Sequence, residues 1–307
     1  MSMMLVALPT VAVMLLYALP GFLLVKTRLV PEAGIAPVVK LLMYIAQPAL
    51  IIYSFLHTDC TPELLGNMGL ALVFFLLAQG GVMVGGYFLL KKRASRVAAR
   101  IFPLAAALGN CGFMGVPLLQ ALLPDHPEAI AYSVVASLAL HILSWTLGCA
   151  IITGDKRYIR FKEVILNPAV LAMFVALPLF LCGVKLPTLL DDMVTLLAKM
   201  ATPLCMIIMG MRLATCSLRG VFGSLGQYAA VAVKQLLFPL AVLGVLTLLS
   251  VDPTLRVTVY ILICCPVASM VLNFAEMLGE GQKTAAHLVL LGTLLSVFTV
   301  PLMMLLV

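Results

Sequence analysis

The sequence predicts an all-α polytopic membrane protein of about ten transmembrane helices, arranged as two inverted five-helix repeats with broken, crossing helices four and nine. Three observations carry that prediction. Hydrophobic residues make up 64% of the 307-residue chain and charged residues 10%, against about 25% charged in soluble domains. Apolar runs of about 17 to 25 residues, the length that crosses a bilayer, recur along the whole chain. Two of these runs are interrupted at corresponding places by glycine, proline and short polar residues.

The runs fall at roughly 4–25, 37–56, 64–90, 101–123, 129–152, 164–184, 195–215, 222–250, 256–279 and 285–306. The first has no basic residue before it, and its first charges, Lys26 and Arg28, follow it. A cleaved signal peptide has the opposite order. Lys26/Arg28, Lys91-Lys92-Arg93 with Arg96 and Arg100, Lys156/Arg157/Arg160/Lys162, Arg212/Arg219 and Lys283 occupy alternate connections. His57-Thr58-Asp59, Pro124 to Glu128 and Asp191-Asp192 occupy others. Positive charge in short loops marks the cytoplasmic side, so the odd-numbered connections are expected inside, both termini outside, and the chain in an inner membrane. Lys185 runs against the pattern. The net charge of +7 is thus spread over topology signals, with no aromatic-interleaved basic patch to suit nucleic acid.

The basic connection Thr153 to Glu163 divides the chain into a first five-helix repeat, 1–155, and a second, 156–307. A shift of about 155 residues lays Pro48 on Pro203, Lys40 near Lys199, and Asn110-Cys111 on Cys265-Pro266. Five is odd, so the second copy enters the bilayer upside down, and paired broken helices in corresponding positions point to a transporter's binding site.

The first interruption is Leu108-Gly109-Asn110-Cys111-Gly112-Phe113-Met114-Gly115-Val116-Pro117 and the second Cys264-Cys265-Pro266-Val267-Ala268-Ser269. A peptide group left unpaired in hydrocarbon costs several kcal/mol, so such breaks occur where the backbone faces protein or a wet cavity. Asn110 both donates and accepts hydrogen bonds, and Gly109, Gly112 and Gly115 permit close backbone approach. Half-helices starting near Pro117 and at Val267, Ala268 and Ser269 would aim amide-rich, partly positive ends at one region, which suits an anion. The plainer reading is that these glycines pack helices tightly, as small residues do in membranes. Pro48 and Pro203 kink spans two and seven, either for packing alone or to turn Gln47 and Thr202 towards the same place.

Lys234 lies about 18 Å into span eight by its count of residues at 1.5 Å each, too deep for easy snorkelling. It is read either as a tethered substitute for a coupling cation at the carbonyl-rich helix ends before Asn110 and Pro266, or as a structural brace. His141 is a candidate proton relay or a hydrogen-bonded interior residue. Glu276 is grouped with them for charge compensation, although about 15 Å beyond Pro266 it reads best as a boundary charge. Asn273 is a candidate pathway residue. The cysteines within apolar runs show no metal-ligand spacing and read as small apolar residues. No enzyme signature is found, and no cofactor or metal is expected.

The run around Asn110, Asn167-Pro168, Ala201-Thr202-Pro203-Leu204 with Gly210, Lys234 followed by Pro239, and Cys265-Pro266-Val267-Ala268 leading to Ala275-Glu276 together resemble the auxin efflux carrier family. The resemblance implies a ten-helix fold akin to that of bile-acid sodium symporters. It also implies substrate at the crossover of helices four and nine, held by Asn110 and the peptides near Pro117 and Pro266. Helices one, two, six and seven would move against the rest. The connection after helix five is short, unlike the long loop of many plant members, which points to a bacterial-type carrier of anions such as malate or malonate. The expected function is therefore secondary transport of small organic anions by alternating access; a gated anion channel and a ligand-binding receptor are the alternatives. The expected partners are the small organic anion and the lipid bilayer, with protons as a candidate coupling ion and a homodimer as a candidate assembly.

Overall fold

A computed structural model of the chain describes residues 3–154, 161–215, 225–249 and 251–307. Lys156, Arg157, Arg160 and Arg219, four of the expected topology signals, and the boundary between the two expected repeats lie outside the described residues. The main helices, in chain order, are α1 (Met3–Lys26), α2 (Glu32–Leu56), α3 (Pro62–Leu90), α4 (Arg96–Ala107), α5 (Val116–Leu122) and α6 (Glu128–Thr153). They continue with α7 (Pro168–Leu181), α8 (Thr188–Thr215), α9 (Leu225–Leu248), α10 (Pro253–Cys264), α11 (Met270–Leu278) and α12 (Gln282–Leu306). No strand longer than a single bridge occurs among the described residues. Seven of these helices, α1, α2, α3, α6, α8, α9 and α12, are each long and apolar enough to cross a membrane. The other three apolar runs are shorter or interrupted: α4 with α5, α7, and α10 with α11.

Local chemistry explains where helices start. Thr61-Pro62, Asn167-Pro168 and Asp252-Pro253 open α3, α7 and α10. In each pair the polar side chain accepts a hydrogen bond from an early helical amide: Leu64 N at 3.1 Å, Ala169 N at 2.9 Å and Leu255 N at 2.8 Å. The proline occupies the first helical position, where its missing N–H has no intrahelical partner to lose. Gly154 and Gly279, at φ of 74° and 77°, end α6 and α11 in the left-handed conformation that glycine adopts without strain.

Proline shapes the spans from within. Wide π-turns at Leu42–Ala46, Cys111–Gly115 and Val233–Leu237 end two residues before Pro48, Pro117 and Pro239 respectively. A proline ring crowds the carbonyl four residues back and supplies no amide, and a turn with one extra residue relieves the clash. Pro203 acts differently: α8 is interrupted at Met200, and Pro203 sits in the first turn of its second part.

Packing follows the small residues. A Cβ on Gly210 of α8 would collide with the backbone of Ala18, and one on Gly21 of α1 with that of Ile207, so α1 and α8 touch backbone to backbone. Outward faces carry large apolar side chains such as Leu77, Phe174, Leu248 and Phe298, as a lipid solvent permits. The chain is a multi-pass membrane protein.

Candidate functional site at the helix crossover

Two interrupted helices meet end to end and repair each other's backbone. Asn110 N donates to Pro266 O at 2.8 Å, and Ala268 N donates to Leu108 O at 3.0 Å. These bonds make an antiparallel bridge between Gly109 and Val267, so peptide groups freed by the breaks find partners without water. Helices α4 and α10 both end beside this bridge. Lys234, fully buried, donates from Nζ to Ile263 O at 2.7 Å. A Cβ on Gly109 would stand 3.1 Å from that Nζ and 3.3 Å from Leu262 O, which leaves the position to glycine.

Beyond the bridge the chain turns helical again, and here the structure corrects the expected starting points. The first half-helix starts at Cys111 rather than near Pro117, because Asn110 O already accepts from Met114 N at 3.1 Å and Gly115 N at 3.2 Å. The second starts after Ser269, not at Val267, since the Ala268 amide is spent on the bridge.

Both half-helix starts line a cavity of about 350 Å³, within the size range of small-molecule sites. Asn110, Gly112 and Pro117 line it from the first break, and Ala268, Ser269 and Asn273 from the second. Gln47 and Thr202 line it from the kinked helices and His141 from α6. Gln47 lies so close to Gly112 that a Cβ there would sit 3.1 Å from Nε2. Thr202 Oγ1 donates to Gln120 Oε1 at 3.0 Å, and Asn273 Nδ2 donates to Met270 Sδ at 3.6 Å. His141 Nδ1 is 2.7 Å from Ser137 O; a carbonyl only accepts, so Nδ1 carries a hydrogen and Nε2 of a neutral ring is an acceptor.

Three expected binding residues, Gly115, Pro266 and Val267, do not line the cavity, and neither do Lys234 and Glu276, which were expected at the helix ends and at the boundary. Gly115 packs under Leu262 and Cys265, Val267 packs on Gly292, and Pro266 serves the bridge through its carbonyl. Lys234 sits behind the bridge, and Glu276 is exposed on α11 away from the cavity. Gly115, Pro266 and Val267 close the crossover, and residues that do so pack against scaffold, not against the space it encloses.

The lining also holds residues that were not expected. Arg212, half-buried in the last turn of α8, lines the cavity and had been assigned to a loop as a topology signal. Its spacing held the clue: Cys205 and Arg212 are two helical turns apart and share a face, and Cys205 Sγ lies 3.9 Å from Gly112 O. Asn167, the cap of α7, also lines it. Among the described residues the lining contains no aspartate or glutamate, and Arg212 is its one formally charged side chain.

A family profile described as "Membrane transport protein" matches the chain in two stretches, residues 6–164 and 157–304. A "Putative malonate transporter" of Rhizobium meliloti (strain 1021) is 26% identical over 274 residues, 84% of this chain and 82% of that protein. Membrane-spanning helices, a backbone crossover and a profile match over almost the whole length agree: the chain belongs to the membrane transport protein family, that of the auxin efflux carriers.

Proposed function

We propose that this membrane transporter is a secondary carrier of small organic anions, mono- or dicarboxylates such as malate or malonate, which binds its substrate at the crossover and works by alternating access. The observation that carries the reading is the cavity lining: two half-helix starts, amide side chains from Gln47 and Asn110, one arginine and no acidic group among the described residues. The first amides of a helix lack intrahelical acceptors and favour an anion. Arg212 suits a second carboxylate. Its Cα lies about 10 Å along α8 from that of Cys205, and helical side chains lean back towards the N-terminus, here towards the crossover. The name of the Rhizobium meliloti relative supports a dicarboxylate.

In this reading the ten apolar runs cross the membrane as two inverted five-helix repeats, with the crossover at its middle. The glycine-sealed pair α1 and α8, with α2 and α7, moves against the remainder, so a substrate held between Arg212 and the half-helix ends draws the two bodies together. His141 is placed to exchange a proton with the cavity through Nε2. Lys234, between the helix C-termini, holds the position of a coupling cation, which makes transport independent of sodium.

Thermal stability of the purified protein against malonate, malate and an aromatic carboxylate, with and without sodium, tests the reading. A ligand at about 100 times its Kd adds roughly 2.7 kcal/mol to the folded state. The expected result is a sodium-independent shift with one carboxylate class, larger for dicarboxylates, and loss of that preference in Arg212→Gln. No shift with any carboxylate overturns it. In proteoliposomes a carrier shows counterflow; flux without saturation or counterflow would indicate a channel, and binding without flux a receptor.

A further inference from the structure

A second cavity, of about 950 Å³, lies between the end of α3 and the starts of α4, α9 and α12. It shares no lining residue with the crossover cavity. Its walls are almost wholly apolar, with Leu89 on α3, Phe102 and Pro103 on α4, and Val233 on α9. Gly81 and Gly85, one turn apart on α3, have nothing within 4 Å of where a Cβ would stand, so this wall is open instead of packed. Gln227 lines the cavity, is only 6% exposed, and its Oε1 has no hydrogen-bond partner. A buried amide oxygen of that kind calls for a donor the protein does not supply.

The chain leaves this cavity through Lys91-Lys92-Arg93, all exposed, and returns to line it at Ala94 and Ser95. Lys91 Nζ stands 4.0 Å over the Phe88 ring. Of the neighbouring cations on α4, Arg96 pairs with Glu280 at 3.4 Å and Arg100 donates to Ile152 O. An apolar groove therefore ends beneath a cluster of three positive charges, beside an unsatisfied acceptor.

We propose that this groove is a binding site for an anionic phospholipid of the phosphatidylglycerol class. One acyl chain lies along Gly81 and Gly85, the phosphate sits on Lys91, Lys92 and Arg93, and a headgroup hydroxyl donates to Gln227 Oε1. Basic pockets between membrane helices recognise anionic headgroups in this way. A soluble anion would gain nothing from the apolar walls. A second copy of the chain is disfavoured by charge, because a two-fold contact through Gly81 and Gly85 presents the same patch twice and brings two basic clusters together.

The test is thermal stability of delipidated protein in detergent, titrated with phosphatidylglycerol or phosphatidylcholine. Wild type, Gly85→Leu, which fills the groove at an open helical position, and Lys92→Gln/Arg93→Gln are compared. Phosphatidylglycerol is expected to raise Tm saturably and phosphatidylcholine far less. Gly85→Leu abolishes the saturable rise, and the double variant weakens it more than tenfold, at about fivefold per basic residue near an anionic surface. Folding of both variants is checked by their Tm in detergent alone. An equal rise with both lipids, or an unchanged rise in Gly85→Leu, overturns the proposal. So does conversion of a dimer to a monomer by Gly85→Leu without any lipid preference in wild type, which would assign the groove to a second copy.

Discussion

Asn110 serves the crossover twice, and its two roles are separable. Its backbone amide holds Pro266 O, and its side chain, 8% exposed, lines the cavity. Asn110→Ala keeps the amide and removes the side chain. Its expected outcome is unchanged folding with a carboxylate affinity lower by about tenfold, the loss of one buried hydrogen-bonding group, read by ligand-induced thermal shift. Unaltered affinity would remove Asn110 from the site. The glycines also divide by neighbourhood. Gly210→Ala forces a methyl into the backbone of Ala18, whereas Gly69 has nothing within 4 Å. Gly210→Ala is expected to yield little folded protein. Gly69→Ala should be at least as stable as wild type, by up to about 1 kcal/mol from helix propensity. Thermal unfolding of both in detergent decides this, and equal behaviour would refute the backbone contact between α1 and α8.

At the scale of elements, the π-turn before each of three prolines sets which way the polar residues face. The turn Val233–Leu237 holds both Lys234 and Gln235. Lys234 reaches Ile263 O, while Gln235 Nε2 donates to Gly292 O at 2.6 Å and its Oε1 accepts from Thr299 at 3.2 Å. A helix in which one residue is lost from a turn rotates what precedes it by about 100°. Pro239→Ala removes the reason for the wide turn, so α9 is expected to tighten and the Lys234 contact to loosen. Transport should then fall to the level of Lys234→Met, with the helix itself intact by circular dichroism. Wild-type transport in Pro239→Ala would show that the turn is held by Lys234 and Gln235 and not by the proline.

For the whole molecule, the crossover lets two interrupted helices satisfy each other in the place where hydrocarbon offers no partner. The interruptions therefore cost little while leaving two amide-rich starts facing one cavity. Orientation is expected to follow the basic connections. A C-terminal fusion to alkaline phosphatase is expected to be active and a fluorescent-protein fusion dark, since the last helix should end outside. The reverse pattern would invert the topology and put Arg212 and the Lys91–Arg93 cluster on the other face.

Read alone, the amino-acid sequence determined the solvent, the helical class and the positions of the breaks. Each depends on residues close in the chain: on the hydropathy of about twenty neighbours, or on glycine, proline and short polar residues that interrupt an apolar run, as around Asn110 and Pro266. Only the tertiary structure decided which residues face the cavity. In spans that are apolar on every side, periodicity carries no contrast from which to read helix phase, and an irregular segment resets that phase. Hence Gly112 faces the cavity while Gly115, three residues on, packs under Leu262, and Arg212, legible as a loop charge, turns inward. The carbonyl-rich helix end before Pro266, expected beside Lys234, does hold it, but which carbonyl accepts, that of Ile263, only the tertiary structure decided.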